Sequence, residues 1–150
     1  MTQAEIVAFV TAELPRTTVV VASEENGAPE VSWGSTFFFY DSDGDESARR
    51  FPFATIVVAD VPGFDESSRL DREGVFRVNI WVGREAAEVA TTSAPDTLDV
   101  VVRHPVYGPQ GWVSVLNPET TSRIVCELLA EAHQRAARRG RGRSQTADSL

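Results

Sequence analysis

Residues 74–82 constrain this chain more than any other stretch. Phe76, Val78, Ile80 and Val82 alternate with Val75, Arg77, Asn79 and Trp81. Strand side chains point to opposite faces with a period of two, so this is a strand with one apolar face and one mixed face. The apolar set must meet a core. Arg77, Asn79 and Trp81 then lie on the face opposite the main helices, where an antiparallel sheet is expected to be open. A row of arginine, asparagine and tryptophan on such a face suits an anionic or planar ligand.

The flanking segments extend that strand into a sheet. Residues 17–23 are β-branched and read as a strand, Asn26-Gly27 is a turn signal, and residues 31–40 read as the returning strand of a hairpin. Residues 51–60 form a third strand, with Phe53, Thr55, Val57 and Ala59 on one face and Ala54, Ile56, Val58 and Asp60 on the other. Two aromatic blocks, residues 33–40 and 104–115, read as strands carrying large rings, the second ending in a strand over 111–116. Residues 96–103 suit either a helical turn or a strand, and 64–73 a polar loop.

Helices bracket the strands. Thr2 and Glu5 make a capping box ahead of an Ile6, Phe9, Val10, Leu14 stripe that Pro15 ends. Residues 84–90 read as a short helix. Asn117 and Pro118 suit the N-cap and first position of a last helix, with Ile124, Leu128, Leu129 and Ala132 facing inward, Val125 alongside them and His133 at its surface. Gly140 and Gly142 should end it. Hairpins without regular βα alternation predict an α+β fold: an antiparallel sheet of about five strands with the N- and C-terminal helices packed on one face. Residues 1–139 form one domain and 140–150 a basic disordered tail.

Charge excludes some partners. All 14 basic residues are arginine, and the net charge is −8. Residues 135–150 carry a net +4, so the remaining 134 residues carry −12. A body this acidic repels phosphate backbones and anionic membranes, which leaves the arginine-rich C-terminus as the route to nucleic acid. No run approaches the ~18 apolar residues of a membrane span. The first residues have neither the basic nor the apolar region of a signal peptide, and Cys126 is the single cysteine, so the cytoplasm is the expected location.

Few motifs carry chemistry. Asp41, Asp43 and Asp45 alternate like the start of a calcium loop, but Glu46 and Pro52 occupy the positions that need glycine and glutamate, so a solvated turn is expected. No metal-ligand spacing and no phosphate-cradling glycine loop is present. Ser35, Ser114 and Cys126 lack a nucleophile elbow. His104, held extended by Pro105, lies close to Tyr107 and ahead of Trp112.

Three blocks, residues 50–57, 70–80 and 104–118, together resemble the signature segments of a small bacterial domain-of-unknown-function family, the one numbered sixty-one ninety-four. The likeness covers roughly residues 3–139 and implies no catalytic residue. Between Arg84 and Arg103 the chain departs from it, with Ala86-Ala87-Glu88-Val89-Ala90 where a phenylalanine-rich helix is expected. More loosely, the element order is similar to that of the MmcQ/YjbR-like proteins with a CyaY-like fold, a resemblance that implies a twisted antiparallel sheet against terminal helices.

These readings converge on a cytoplasmic small-molecule-binding domain that needs no metal, nucleotide or other cofactor. It admits an accessory or tailoring enzyme of a biosynthetic pathway. The alternatives are a nucleic-acid-binding or regulatory protein using the arginine-rich C-terminus, and a non-catalytic interaction module. Trp33, Arg77, Asn79, Trp81, His104, Tyr107 and Trp112 should bound one concave site. There His104 would transfer protons, Tyr107 donate a hydrogen bond and Arg77 clamp an anion, with Trp33, Asn79, Trp81 and Trp112 binding the ligand. An exposed Trp81 face would also favour a homodimer.

Overall fold

The computed structural model describes residues 1–41, 51–90 and 92–148, with side chains as far as residue 140. The calcium-like turn, including Asp43, Asp45 and Glu46, lies outside the described residues.

Among the described residues, six antiparallel strands make one sheet in the order β1-β2-β3-β4-β6-β5. They are β1 (Thr17–Val21), β2 (Thr36–Tyr40), β3 (Ala54–Val57), β4 (Arg77–Trp81), β5 (Val102–Arg103) and β6 (Trp112–Leu116). The fold is α+β. The sheet has one more strand than the pattern alone marks, because the valine run near residue 100 contributes the two-residue β5 at one edge. Central β4 pairs with β3 on one side and β6 on the other, which sets Asn79 between Thr55 and Ser114, and Trp81 beside Trp112.

Three helices, α1 (Gln3–Glu13), the short α2 (Arg84–Glu88) and α3 (Ser122–Asp148), lie among the described residues, and α1 and α3 bring Ile6, Val10, Val125, Leu129 and Ala132 onto one face of the sheet. There they meet Phe38, Ile56, Val78, Ile80 and Val115. The Thr2–Glu5 capping box forms as the spacing predicts and satisfies otherwise orphaned N–H groups at the start of α1. Among the described residues, no helix is long and apolar enough to cross a membrane.

Several local expectations are corrected. Trp33 is outside β2, which begins at Thr36 after a single 3-10 turn at Glu30–Ser32. Likewise the 104–115 block is a loop and a 3-10 turn at Gly108–Gln110 before β6 begins. Phe53 precedes β3 and so escapes its alternation: it packs in the core against Phe38 and His133. His133 is buried, with Nε2 2.7 Å from the Pro15 carbonyl oxygen. Ile124 is exposed and Val125 takes the inward position.

Asn117 does not cap α3. Its backbone takes φ 44°, and its side chain bonds the backbone of Phe76 and Gly74, closing the end of β6 against the start of β4. Asp99 serves α3 instead, accepting the backbone N–H groups of Glu119, Thr120 and Thr121. The helix also runs through Gly140 and Gly142 to Asp148. A helical glycine costs only about 1 kcal/mol relative to alanine, which neighbouring arginine, alanine and glutamine residues can offset.

Candidate functional site

The sheet face away from α1 and α3 is not open. The chain between β3 and β4 folds back over it, pinned by backbone bonds between Val61 and Asp65 and by Asp60, whose carboxylate accepts the Leu70 N–H. The segment joining β5 to β6 closes another side. Between them lies a cavity of about 650 Å³, within the usual ~300–1,000 Å³ range of small-ligand sites.

The floor is polar and internally bonded. Arg77 is 2% exposed although it carries a full charge. Its Nη1 and Nη2 donate to the two carboxylate oxygens of Asp65 at 3.0 and 2.5 Å. Nη1 also donates to Ser68 and Nε to the Asn79 amide oxygen. Asn79 in turn donates to Thr55 Oγ1 at 3.0 Å. Such a buried fork satisfies the desolvated charge at both ends. Burial would raise the Asp65 pKa, but the hydrogen bonds and charge of Arg77 outweigh it and hold the carboxyl below its ordinary range. The Arg77 side chain is therefore an internal brace, with most of its donors already engaged.

His104 stands beside this pair. Its Nδ1 accepts the backbone N–H groups of Val106 and Tyr107 at 3.0 and 2.9 Å. Two donors converging on Nδ1 leave no place for a proton there, so the ring proton sits on Nε2. Burial, reinforced by the Arg77 charge and only partly opposed by Asp65, lowers the His104 pKa to about 3. The imidazole is thus neutral at physiological pH. The proton-transfer role anticipated for it fits this geometry poorly, since Nε2 already carries the proton, and taking one at Nδ1 would break both backbone hydrogen bonds and create an imidazolium next to Arg77. The geometry suits a neutral hydrogen-bond donor instead.

The walls are rings and branched aliphatics. Phe37, Val57, Trp81 and Trp112 rise from the strands, while Phe64 and Tyr107 close the loop side, their ring centroids 6.1 Å apart. Tyr107 also leans on His104 at 5.1 Å. Phe51 and Arg139 stand at the rim. Arg139 lies over both the Phe51 and Trp81 rings at 5.6 Å, and Arg135 covers Trp81 at the same distance. Trp81 is therefore half-buried under guanidinium groups rather than exposed. Arg135 and Arg139 are also two of the five arginines that suggested a nucleic-acid contact.

Six of the seven anticipated site residues line this one cavity: Arg77, Asn79, Trp81, His104, Tyr107 and Trp112. Trp33 does not. Its indole N–H donates to the Ala28 carbonyl at 2.8 Å on an outer loop, and neighbouring Val31 and Ser32 reach the cavity instead. The sequence reading missed Asp65, Ser68, Phe64 and Arg139. The one signal for Asp65 was the need of a strand-borne arginine for a carboxylate, and nearby Asp60, Glu66, Asp71 and Glu73 met that need equally well.

The possible nucleophiles do not converge. Ser35 lines the cavity, with Oγ 3.4 Å from the Val58 N–H that it accepts. Ser114 is fully buried, and its hydroxyl has no partner among the described residues. Burial raises the Cys126 thiol pKa, which disfavours the reactive thiolate. Among the described residues no cluster of three or more His, Cys, Asp or Glu side chains is placed to hold a metal ion.

Fold and cavity together define an α+β domain whose sheet carries helices on one face and a ligand-sized pocket on the other. Residues 1–145 match the model of a family described as Family of unknown function (DUF6194), and the chain belongs to that family. No curated protein and no solved structure matches it. The family match brings no activity with it and leaves the looser likeness to the MmcQ/YjbR-like proteins unsupported.

Proposed function

We propose that this chain is a small-molecule-binding domain that takes its ligand into the cavity on the helix-free face of the sheet. One observation carries the reading. Aromatic and aliphatic walls enclose about 650 Å³ above a floor of buried, mutually bonded polar side chains. Apolar walls with a few fixed polar groups are the usual build of a ligand site. The reading requires neither metal nor nucleotide and fits a cytoplasmic domain. If an enzyme of the accessory or tailoring kind works here, His104 Nε2 and the Tyr107 hydroxyl are its donors to a carbonyl oxygen.

Titration with the uncharged dye Nile red tests this. Its emission should rise on binding the native protein and fail to rise with Ala59→Trp, which fills the cavity from its wall. Equal enhancement in both proteins, or none in either, sinks the reading.

A further inference from the structure

We infer that the ligand of this pocket is an uncharged molecule with a flat apolar body and one hydrogen-bond acceptor, of the carbonyl type, directed at His104 Nε2. This rests on the pocket reading above and narrows it to a chemical class.

The sequence points toward an anion, because Arg77 is the only cationic side chain on the mixed face of β4. The structure reverses that. The two Asp65 oxygens occupy the two ends of the guanidinium fork, so the pair presents no net charge to the cavity. A carboxylate placed there would lose its hydration and meet Asp65 at close range, without an uncommitted cation to replace water. Arg139 does not supply one at depth. It is exposed at the rim over Phe51 and Trp81, and a charge pairing in such a wet position is worth little.

The acceptor requirement comes from His104. Both N–H groups of residues 106 and 107 point at Nδ1, so the ring is locked in the tautomer that carries its proton on Nε2. Among the described residues that N–H has no hydrogen-bond partner, and His104 is part of the cavity lining. A donor that a bound ligand shields from water and leaves unsatisfied is costly. A ligand acceptor that meets it gains what an isosteric hydrocarbon does not. The flat body follows from the rings of Phe37, Trp81, Tyr107 and Trp112 around the space, since ring faces favour planar partners.

Three matched probes competing with Nile red decide the matter: 2-acetylnaphthalene, 2-ethylnaphthalene and 2-naphthoate. They share one aromatic body and differ in a carbonyl, a hydrocarbon and a carboxylate. The ketone should compete at least tenfold better than either of the others. In His104→Asn, whose side-chain oxygen can still accept the two backbone N–H groups but has no donor at the Nε2 position, the advantage over the hydrocarbon should vanish. The penalty on the carboxylate should remain. Naphthoate competing as well as the ketone overturns the inference, and so does a hydrocarbon of equal strength, while Nile red binding keeps the pocket reading intact. Failure of Nile red to bind removes both. If His104→Asn does not give a native circular dichroism spectrum and a cooperative melt, the three-probe ranking on the native protein still decides.

Discussion

The Arg77 guanidinium meets the Asp65 carboxylate fork to fork, with Nη1–Oδ1 at 3.0 Å and Nη2–Oδ2 at 2.5 Å, beneath the cavity floor. The pair joins the central strand to the loop that roofs it, so it is a support of the pocket before it is anything else. Removing one member leaves the other charged and buried, which typically costs ~3–5 kcal/mol. Arg77→Ala should therefore lower the urea midpoint sharply, and the double variant Arg77→Leu with Asp65→Leu should recover much of that loss. An Arg77→Ala protein with native stability would show that the pair is not a structural brace.

Acid should weaken the fold well above the range where carboxylates titrate. The unfolded chain protonates His104 near pH ~6.5, whereas the folded protein keeps it neutral down to about 3. Between those values the unfolded state binds more protons, so stability rises with pH, by up to ~1.4 kcal/mol per pH unit for one such group. The contribution is complete above about pH 6.5 and is lost as pH falls toward the folded value. Asp65 adds to the loss further down: its folded pKa is depressed, so its share disappears as pH drops below the ordinary carboxylate range. Among the described residues, Arg77, Asp65 and Tyr107 are the charged and titratable groups facing the imidazole. Denaturation curves between pH 7 and 4 should show a flatter slope for His104→Asn than for the native protein. Equal slopes would refute the buried neutral imidazole.

Asp99 anchors the approach to α3 from a position 20 to 22 residues upstream. It takes three backbone N–H groups and the hydroxyls of Thr120 and Thr121, and those bonds hold its carboxyl well below the usual carboxylate range. Loss of a cap costs ~0.5–2 kcal/mol. Asp99→Ala should fall in that range by thermal denaturation, while Asn117→Ala should leave α3 intact and instead loosen the junction of β4 with β6. Amide hydrogen exchange separates the two, since protection should drop at Val125 in the first variant and at Phe76 in the second.

Gly111 tolerates no side chain. Its φ is +97°, and a Cβ would lie 2.7 Å from the Gly83 carbonyl carbon. That closeness lets the Gly111 carbonyl accept the N–H groups of both Val82 and Gly83, just beyond the paired Trp81 and Trp112. Gly111→Ala should destabilise by several kcal/mol through combined strain and clash. It should also shift the tryptophan emission. Native stability with native emission would rule the contact out as a determinant of the Trp81–Trp112 wall.

Legibility followed the range of the interaction. The capping box of α1, the alternation in β4 and the antiparallel α+β arrangement were readable because each depends on neighbours a few residues apart. The reading failed at α3, where Asn117-Pro118 has the chemistry of a helix start but the backbone there turns to close the sheet. It failed again at Trp33, since an apolar run beginning at that residue does not reveal where hydrogen-bonded pairing with β1 begins. His133 looked like a surface residue because a helix alone does not show which chain end folds back against it, here Pro15.

By itself the sequence determined which side chains share a face. The period of two in residues 74–82 places Arg77, Asn79 and Trp81 together and away from Val78 and Ile80, whatever the rest of the chain does. Tertiary structure decided what those side chains are for. A buried guanidinium must find a carboxylate, but which of several acids reaches it depends on the path of the covering loop, and that path selected Asp65. The same holds for His104, whose tautomer follows from two backbone N–H groups aimed at one ring nitrogen by the turn after Pro105. Periodicity is a property of the local backbone. Charge neutralisation and proton placement depend on distances of about 3 Å between groups that only the folded chain brings together.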